Sequence, residues 1–442
     1  MDVLTAARAQ MEVSLAFHMV FAALGIGMPL QMAVAERAWM RTGRPHYRDL
    51  ARKWAKATAL TFAVGAVSGT ALSFELGLLW PRFMAVAGGI IGPSFALEGY
   101  AFFLEAIFLG LYLYGWEKLS PRAHWWCGVA VAASGMLSGI LVLAANAWMQ
   151  TPVGYALVDG KPVGTTAFAS FLAPAWPQMA LHSTLACYVS TAFACSGVYA
   201  LGMLRGRRDV YHRSGLGISM AVGAIAAVLQ GISGDVSARG VAAQEPAKLA
   251  AMEAHYRTGP RVPLLVGGIP DPAADTVRWA LRIPAGLSLL LHEDPDAVVV
   301  GLDSVPRNLR PNVAVVHAAF DVMVGCATVL VALGVAYWWM RRKRREASRW
   351  LLRALVVGSP LGYVALQAGW IVTEAGRQPW MIGGVLLTRD GVTPVAEVPV
   401  TLFGFSLLYL ALGTALALLL RRLATGSPER APTGGAEVAH AS

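Results

Sequence analysis

Residues 312–340 read NVAVVHAAFDVMVGCATVLVALGVAYWWM, and residues 341–345, which follow at once, read RRKRR. The first stretch carries one formal charge, Asp321. It exceeds the about 20 apolar residues a helix needs to cross a hydrocarbon core of about 30 Å. The second is a basic cluster with no acid in it. An apolar run closed by Arg and Lys is the pattern of a transmembrane helix whose end stays on the cytoplasmic side. Runs of this kind recur, and nine spans are predicted: 13–35, 57–74, 93–116, 125–148, 178–204, 214–234, 312–340, 354–373 and 398–420.

The composition agrees. Charged residues make up 14% of the 442, against about 25% in a soluble domain. The aliphatic, aromatic and Cys set makes up 56%. That leaves too little polar surface to solvate separate soluble domains, and it excludes a disordered, collagenous or disulfide-stapled chain. Backbone amides in lipid must be satisfied within the segment, so the spans are helices, and the alternation of a membrane β-barrel is absent. The predicted fold is an all-α polytopic helical bundle. The start of the chain lacks a basic n-region and a small-residue cleavage site, and reads as the first span rather than a signal peptide.

The net charge of +10 suggests nucleic acid until the charges are placed. Twenty Lys and Arg fall in or beside the loops after spans one, three, five and seven, and five in the short segments on the other side. This bias predicts an external N-terminus and a cytoplasmic C-terminus. The basic balance is thus a topology signal, with no nucleic-acid partner implied. Residues 1–423 read as one membrane domain and 424–442 as a disordered cytoplasmic tail. One external connection, 235–311, is far longer than an ordinary loop and holds eight basic and nine acidic residues.

Ionisable residues inside a membrane are costly and functional by default. His18 lies in span one. Glu98 and Glu105 lie two turns apart on one face of span three, about 10 Å along the axis. His182 opens span five. His317, Asp321 and Met323 lie early in span seven. Glu374 closes span eight, with Trp370 one turn before it and Arg377 one turn after. With alternating spans, His18, Glu98, His182, Met323 and Glu374 are expected in the outer half of the bilayer, with Glu105 deeper. A lone histidine on an apolar face is more often a hydrogen-bonded core residue than a ligand. Five candidates at one depth suggest a buried cofactor cluster. His182 with Met323 would suit a six-coordinate low-spin haem, and Arg377 could offset carboxylate or propionate charge. Spacing alone leaves haem ligation and ion-coupled transport both open. Cys127, Cys187, Cys195 and Cys326 form no C-x-x-C motif and read as small buried apolar residues.

Several stretches carry a resemblance. They are SLAFHMVFAALGIGMPL around His18, SGTALSFELGLLWPRFM, FALEGYAFFLEAIFLGLYLYGWEKLSPRAHW, NAWMQTPVGY, MALHSTLACY around His182 and GWIVTEAGRQPWMIGGVL around Glu374. The sequence resembles cytochrome bd-type quinol oxidase subunit I over nearly its whole length. The last stretch, Gly-Trp-x-x-x-Glu-x-Gly-Arg-Gln-Pro-Trp, is too specific to arise from composition.

The resemblance implies a haem-carrying subunit of a terminal oxidase in the bacterial cytoplasmic membrane, reducing O₂ with electrons from membrane quinol. It implies a second membrane subunit and a small single-helix subunit as partners. His182 and Met323 match the ligands of a low-spin haem b. His18 and Glu374 match the ligands of two high-spin haems, a b and a d, with a third haem b as the alternative to haem d. Glu98 matches a glutamate beside the oxygen-reactive pair. Glu105 matches a proton-path glutamate with Ser138 and Asn146 as companions, and Trp370 an aromatic residue among the haems. In QEPAKLAAMEAHY of the external loop, Lys248 and Glu253 match quinol-loop positions, five residues apart, where they either contact opposite sides of a quinol head or serve different roles. The departure is Asp321, where the family pattern has Arg two residues before the methionine. Its charge, if ionised, has the opposite sign beside the low-spin haem and makes a different electron donor the alternative. A haem-free ion-coupled transporter is the remaining rival.

Overall fold

The computed structural model describes residues 1–158, 161–164 and 166–425. Its helices are α1 (Val3–Thr42), α2 (Pro45–Leu79), α3 (Pro81–Tyr114), α4 (Pro121–Gln150), α5 (Trp176–Leu204), α6 (Val210–Gln244), α7 (Pro246–Met252), α8 (Gly286–His292), α9 (Val313–Arg342), α10 (Arg349–Gly358), α11 (Leu361–Arg377), α12 (Thr388–Gly391) and α13 (Val398–Thr425). Among the described residues nine spans are long and apolar enough to cross a membrane, the number predicted, with α10 and α11 together forming the eighth.

Most helices outrun the predicted apolar stretches. The run 13–35 is the middle of a 40-residue helix that starts at an Asp2 cap and ends at Gly43, whose φ of 65° suits glycine. The run 93–116 is the later part of a helix that begins at Pro81 and continues through Pro93. Glu98 therefore sits near the middle of α3, not in its first turns. Helix α6 continues to Gln244, so the first ten residues of the predicted loop are helical. Span eight is broken at Ser359–Pro360, where proline supplies no amide hydrogen to the preceding turn. Thr425 ends α13, and 426–442, the bulk of the predicted tail, lie outside the described residues.

Helix α1 packs against α2, α4, α5 and α13; α3 lies on α4, α5 on α6, and α9 on α11. Two apolar cores form toward the two ends of the bundle. One gathers Met32, Leu50, Trp54, Tyr112, Tyr199, Leu330 and Leu355. The other gathers Leu79, Trp80, Phe83, Ile91, Trp148 and Ile382. Near the first, Glu36 of α1 and His124 of α4 form a buried pair at 2.7 Å, and His124 Nε2 lies 2.8 Å from the carbonyl of Tyr112. This pair ties α1, α3 and α4 together.

The long connection is folded. Helix α7 is followed by β3 (Leu264–Val266), β4 (Ile269–Asp271), β5 (Thr276–Arg278) and β6 (Leu281–Ile283), with β3 paired to β6 and β4 to β5, both antiparallel. Two further hairpins, β1 (Tyr155–Val158) with β2 (Lys161–Gly164) and β7 (Trp380–Ile382) with β8 (Leu386–Leu387), flank the ends of α4 and α11. Ala250, Ala251, Leu249, Leu287 and Leu302 are buried in the loop, so it is held by apolar contact. Its exposed ion pairs, such as Arg261–Asp296, add little each.

Candidate functional site

Between the two cores lies a cavity of about 480 Å³, bounded by α1, α2, α3, α4, α5 and α11. His18, Glu98, Glu105, Trp370, Glu374 and Arg377 all line it, together with Ser138 and Asn146. Helices that are far apart in sequence thus bring six predicted site residues to one space. His182 and Met323 lie outside this lining. Met323 of α9 faces α11, where a Cβ on Gly369, the neighbour of Trp370, would fall 3.1 Å from Met323 Sδ.

Both histidines are held the same way. His18 Nδ1 lies 3.0 Å from Ser68 Oγ, and that hydroxyl donates to the carbonyl of Val64 at 2.9 Å. The serine oxygen is then the acceptor, so His18 carries its proton on Nδ1 and offers the Nε2 lone pair. A Cβ on Gly69 would fall 3.0 Å from His18 Cε1, so glycine gives the ring its room. His182 Nδ1 lies 2.9 Å from Ser233 Oγ, which donates to the Gln230 carbonyl at 3.0 Å. The other ring nitrogen of His182 differs. The Gln230 amide donates into His182 Nε2 at 2.9 Å, and Gln230 Oε1 has no partner among the described residues.

Glu374 is gripped at both oxygens. Asn146 Nδ2 donates to Oε1 at 2.6 Å and Arg377 Nη2 to Oε2 at 2.5 Å. Arg377 is buried, and among the described residues its Nε and Nη1 have no partner. Asn146 is therefore turned to Glu374 rather than to Glu105. Ser138 faces Glu98. Glu105 packs on the backbone of α4, where a Cβ on Gly135 would fall 3.1 Å from its carboxyl, and its Oε1 has no hydrogen bond among the described residues.

Lys248 and Glu253 are both buried, which the loop reading did not foresee. Lys248 turns into the bundle, donating to Gln150 Oε1 at 2.5 Å and pairing with Glu245. Burial pushes its ammonium below the usual lysine range, and Glu245 works against that shift. Burial pushes the Glu253 carboxyl up to about 8, and the nearby Asp321 adds to the rise. The two residues thus have different surroundings and do not present themselves to one open pocket. His317 clasps the end of α7. Its Nδ1 lies 2.7 Å from the Met252 carbonyl, and its Nε2 lies 3.3 Å from both the Gly267 carbonyl and Asp321 Oδ2. Asp321 therefore has a histidine partner one turn away on its own helix.

Comparison with known proteins places this architecture. Residues 6–428 match the family described as cytochrome bd terminal oxidase subunit I. The chain belongs to that family. A Bacillus subtilis protein named "Putative cytochrome bd menaquinol oxidase subunit I" is 34% identical over 426 residues, covering 95% of this chain and 96% of its own. The cytochrome bd-II ubiquinol oxidase subunit 1 of Escherichia coli is 30% identical, covering 88% of this chain and 89% of its own. The structure of bd oxidase from Geobacillus thermodenitrificans matches with a TM-score of 0.91 at 37% identity, covering 96% of this chain and 98% of that one.

The cytochrome bd family implies haem, and the residues here fit it. His18 offers a lone pair into a largely apolar cavity. Arg377 holds two unpaired buried donors, the complement of a carboxylate at a haem edge. His182 fits as a ligand once the Gln230 amide leaves Nε2. The orienting serines Ser68 and Ser233 escaped the sequence reading, as did Gln150 and Gln230. Uncharged side chains inside apolar runs give no signal by charge. Their only mark is position, since Ser233 and Gln230 share a face of α6 at a spacing of three. Glu12, which also lines the cavity, Glu36, Glu75 and His124 were missed for another reason. Each lies just outside a predicted span, because the spans were cut near charged residues, while the helices run on.

Proposed function

We propose that this chain is the haem-carrying subunit of a quinol:oxygen oxidoreductase. The cavity carries the reading, because it gathers His18, Glu98, Glu105, Trp370, Glu374 and Arg377 from three helices, α1, α3 and α11. His182 and Met323 would hold a low-spin haem b, and His18 and Glu374 two high-spin haems, a b and either a d or a third b. When bound, these groups accept electrons from quinol and reduce O₂ to water.

The protein supplies orientation, charge and protons. Ser68 and Ser233 fix the histidine tautomers by accepting from Nδ1, as hydrogen-bond partners of ligating histidines do at metal sites. Arg377 and Asn146 fix the Glu374 carboxylate in one plane. Arg377 also has donors left for the propionate of a bound haem. Glu105 exchanges protons with the cytoplasmic side and passes them along α3 toward Glu98 and Ser138. Glu105 is the member of the pair nearer the cytoplasmic end of α3, as the Lys and Arg bias orients it. Quinol meets the external loop, near Glu253, and releases its protons there. Release outside and uptake inside build a proton gradient without a pump. The chain resides in the bacterial cytoplasmic membrane and works with a second membrane subunit.

A second reading keeps the oxidase and changes the donor or restricts the haems to type b. Asp321 favours it, since an acid beside Met323 opposes the charge expected there. The visible spectrum of the purified membrane protein tests both readings. Haem bands are expected, and a far-red band marks haem d. A protein without haem bands after expression with its partner subunit overturns the oxidase reading and returns the cavity to ion-coupled transport.

A further inference from the structure

Lys248 belongs to the external loop, yet its side chain runs inward past Gly376. A Cβ on that glycine would fall 2.8 Å from Lys248 Cγ. The ammonium donates to Gln150 Oε1 at 2.5 Å. Gln150 Nε2 donates to Asn146 Oδ1 at 3.2 Å, and Asn146 Nδ2 donates to Glu374 Oε1 at 2.6 Å. Four side chains from α7, α4 and α11 are thus joined end to end, and Lys248 and Gln150 are buried.

The direction of this chain is fixed by its ends. An ammonium only donates and a carboxylate only accepts. The Gln150 oxygen must therefore face Lys248, which turns its amide nitrogen to Asn146. The Asn146 oxygen must accept from it, which turns the Asn146 nitrogen to Glu374. Neither amide can flip without setting two donors or two acceptors against each other. An amide that accepts from a cation also becomes a stronger donor at its nitrogen, because hydrogen bonds in a chain polarise one another. Gln150 lies in the last turn of α4, where a cation is further favoured by the helix dipole.

We propose that Lys248, Gln150 and Asn146 act as a relay of positioning residues that holds the Glu374 carboxylate in one plane and links it to the docking of α7. The inference rests on the reading of Glu374 as an iron ligand. Lys248 then acts on the Glu374 site from within the bundle, and a quinol contact is not its main role. The relay draws negative charge from Oε1, as Arg377 does from Oε2. A less negative carboxylate stabilises ferric iron less, so the relay raises the potential of the haem that Glu374 holds. It also makes that potential depend on a loop residue.

The test uses the holoenzyme with its partner subunit, in the variants Gln150→Met, Lys248→Met and Glu374→Ala. Haem content, reduced-minus-oxidised spectra and redox titrations of each haem are measured beside quinol kinetics. Gln150→Met and Lys248→Met are expected to shift the high-spin bands and leave the low-spin band in place. At a fixed potential the reduced-to-oxidised ratio of the Glu374-held haem is expected to fall about tenfold, which is 59 mV for a one-electron couple. The double variant is expected to add nothing to either single variant, because both break one chain. If one variant fails to assemble, the other carries the same test. Wild-type high-spin spectra and potentials in Gln150→Met, with Lys248→Met raising only the KM for quinol, would overturn the relay. If Glu374→Ala loses high-spin haem while the relay variants are unaltered, the relay alone is wrong. If Glu374→Ala keeps every haem signal, the ligand reading fails and the relay falls with it.

Discussion

Glu105→Gln separates a proton relay from a buried structural acid. The carboxyl is buried against Gly135 of α4, and its Oε1 has no hydrogen bond. The amide has nearly the same shape and volume. It loses no hydrogen bond that the acid made at Oε1, and the cost to folding is at most the about 1–3 kcal/mol of one newly unsatisfied amide group. The amide cannot carry a proton. Losing a positioned acid–base group typically costs a factor of about 10²–10⁴. At 1.36 kcal/mol per decade, that adds about 3–5 kcal/mol to the barrier of a proton-limited step. We expect a haem-replete enzyme that quinol reduces normally and that consumes oxygen at least about 100-fold more slowly. The assay is oxygen uptake with excess quinol, normalised to haem, with the rate of haem reduction under anaerobic conditions as the control. Glu105→Leu, which removes the polar group, is expected to lower haem content as well. Near-normal oxygen uptake by haem-replete Glu105→Gln would refute the relay.

His182→Ala and Met323→Leu are each expected to abolish the low-spin haem band while high-spin haem remains, read from the reduced spectrum. An unaltered low-spin signal in both variants removes that ligand pair. Raising the Glu253 pKa to about 8 means the folded loop holds a proton that the unfolded loop has released above about pH 4.5. Its contribution to loop docking is therefore full below that value and is lost as pH rises through about 8. Amide exchange in α7, normalised to the intrinsic rate at each pH, is expected to quicken from about pH 4.5 to about 8 and to level off above that, and Glu253→Gln to flatten the profile. His124→Leu strands the Glu36 carboxylate in the interior, which should cost about 3–5 kcal/mol, and the double variant with Glu36→Leu should recover most of it in thermal unfolding.

The bundle was legible because apolar runs must be helices in lipid, and nine of them could be counted. Helix ends were not legible, because hydropathy reports where lipid begins and not where hydrogen bonding stops. Cutting spans at charges hid Glu36, Glu75 and His124, which are buried because neighbouring helices enclose them. Of the site, His18, Glu98, Glu105, Trp370, Glu374 and Arg377 stood out as rare residues in apolar helices, and they do meet in one cavity. What could not be read was which neighbour each would take. Asn146 shares α4 with Ser138, yet the two turn to different glutamates, because that depends on how α4 meets α3 and α11.

The arrangement of polar groups follows from their scarcity. In a soluble protein Lys248 would find water. At the end of this bundle, closed over by α7, it must find acceptors among side chains. The available ones are Glu245 within its own turn and Gln150 at the end of α4. Each of those is then committed, and the commitment passes to Asn146 and to Glu374. The same logic ends at Arg377, which gives one nitrogen to Glu374 and keeps Nε and Nη1 unpaired. Two buried, unpaired donors on a guanidinium are expensive in an apolar interior, costing about 1–3 kcal/mol each and more for charged groups. A bundle that tolerates them has its polar groups set for a partner carrying negative charge. A chain of side chains with one free end at the cavity and the other in the loop is therefore organised around what enters that cavity.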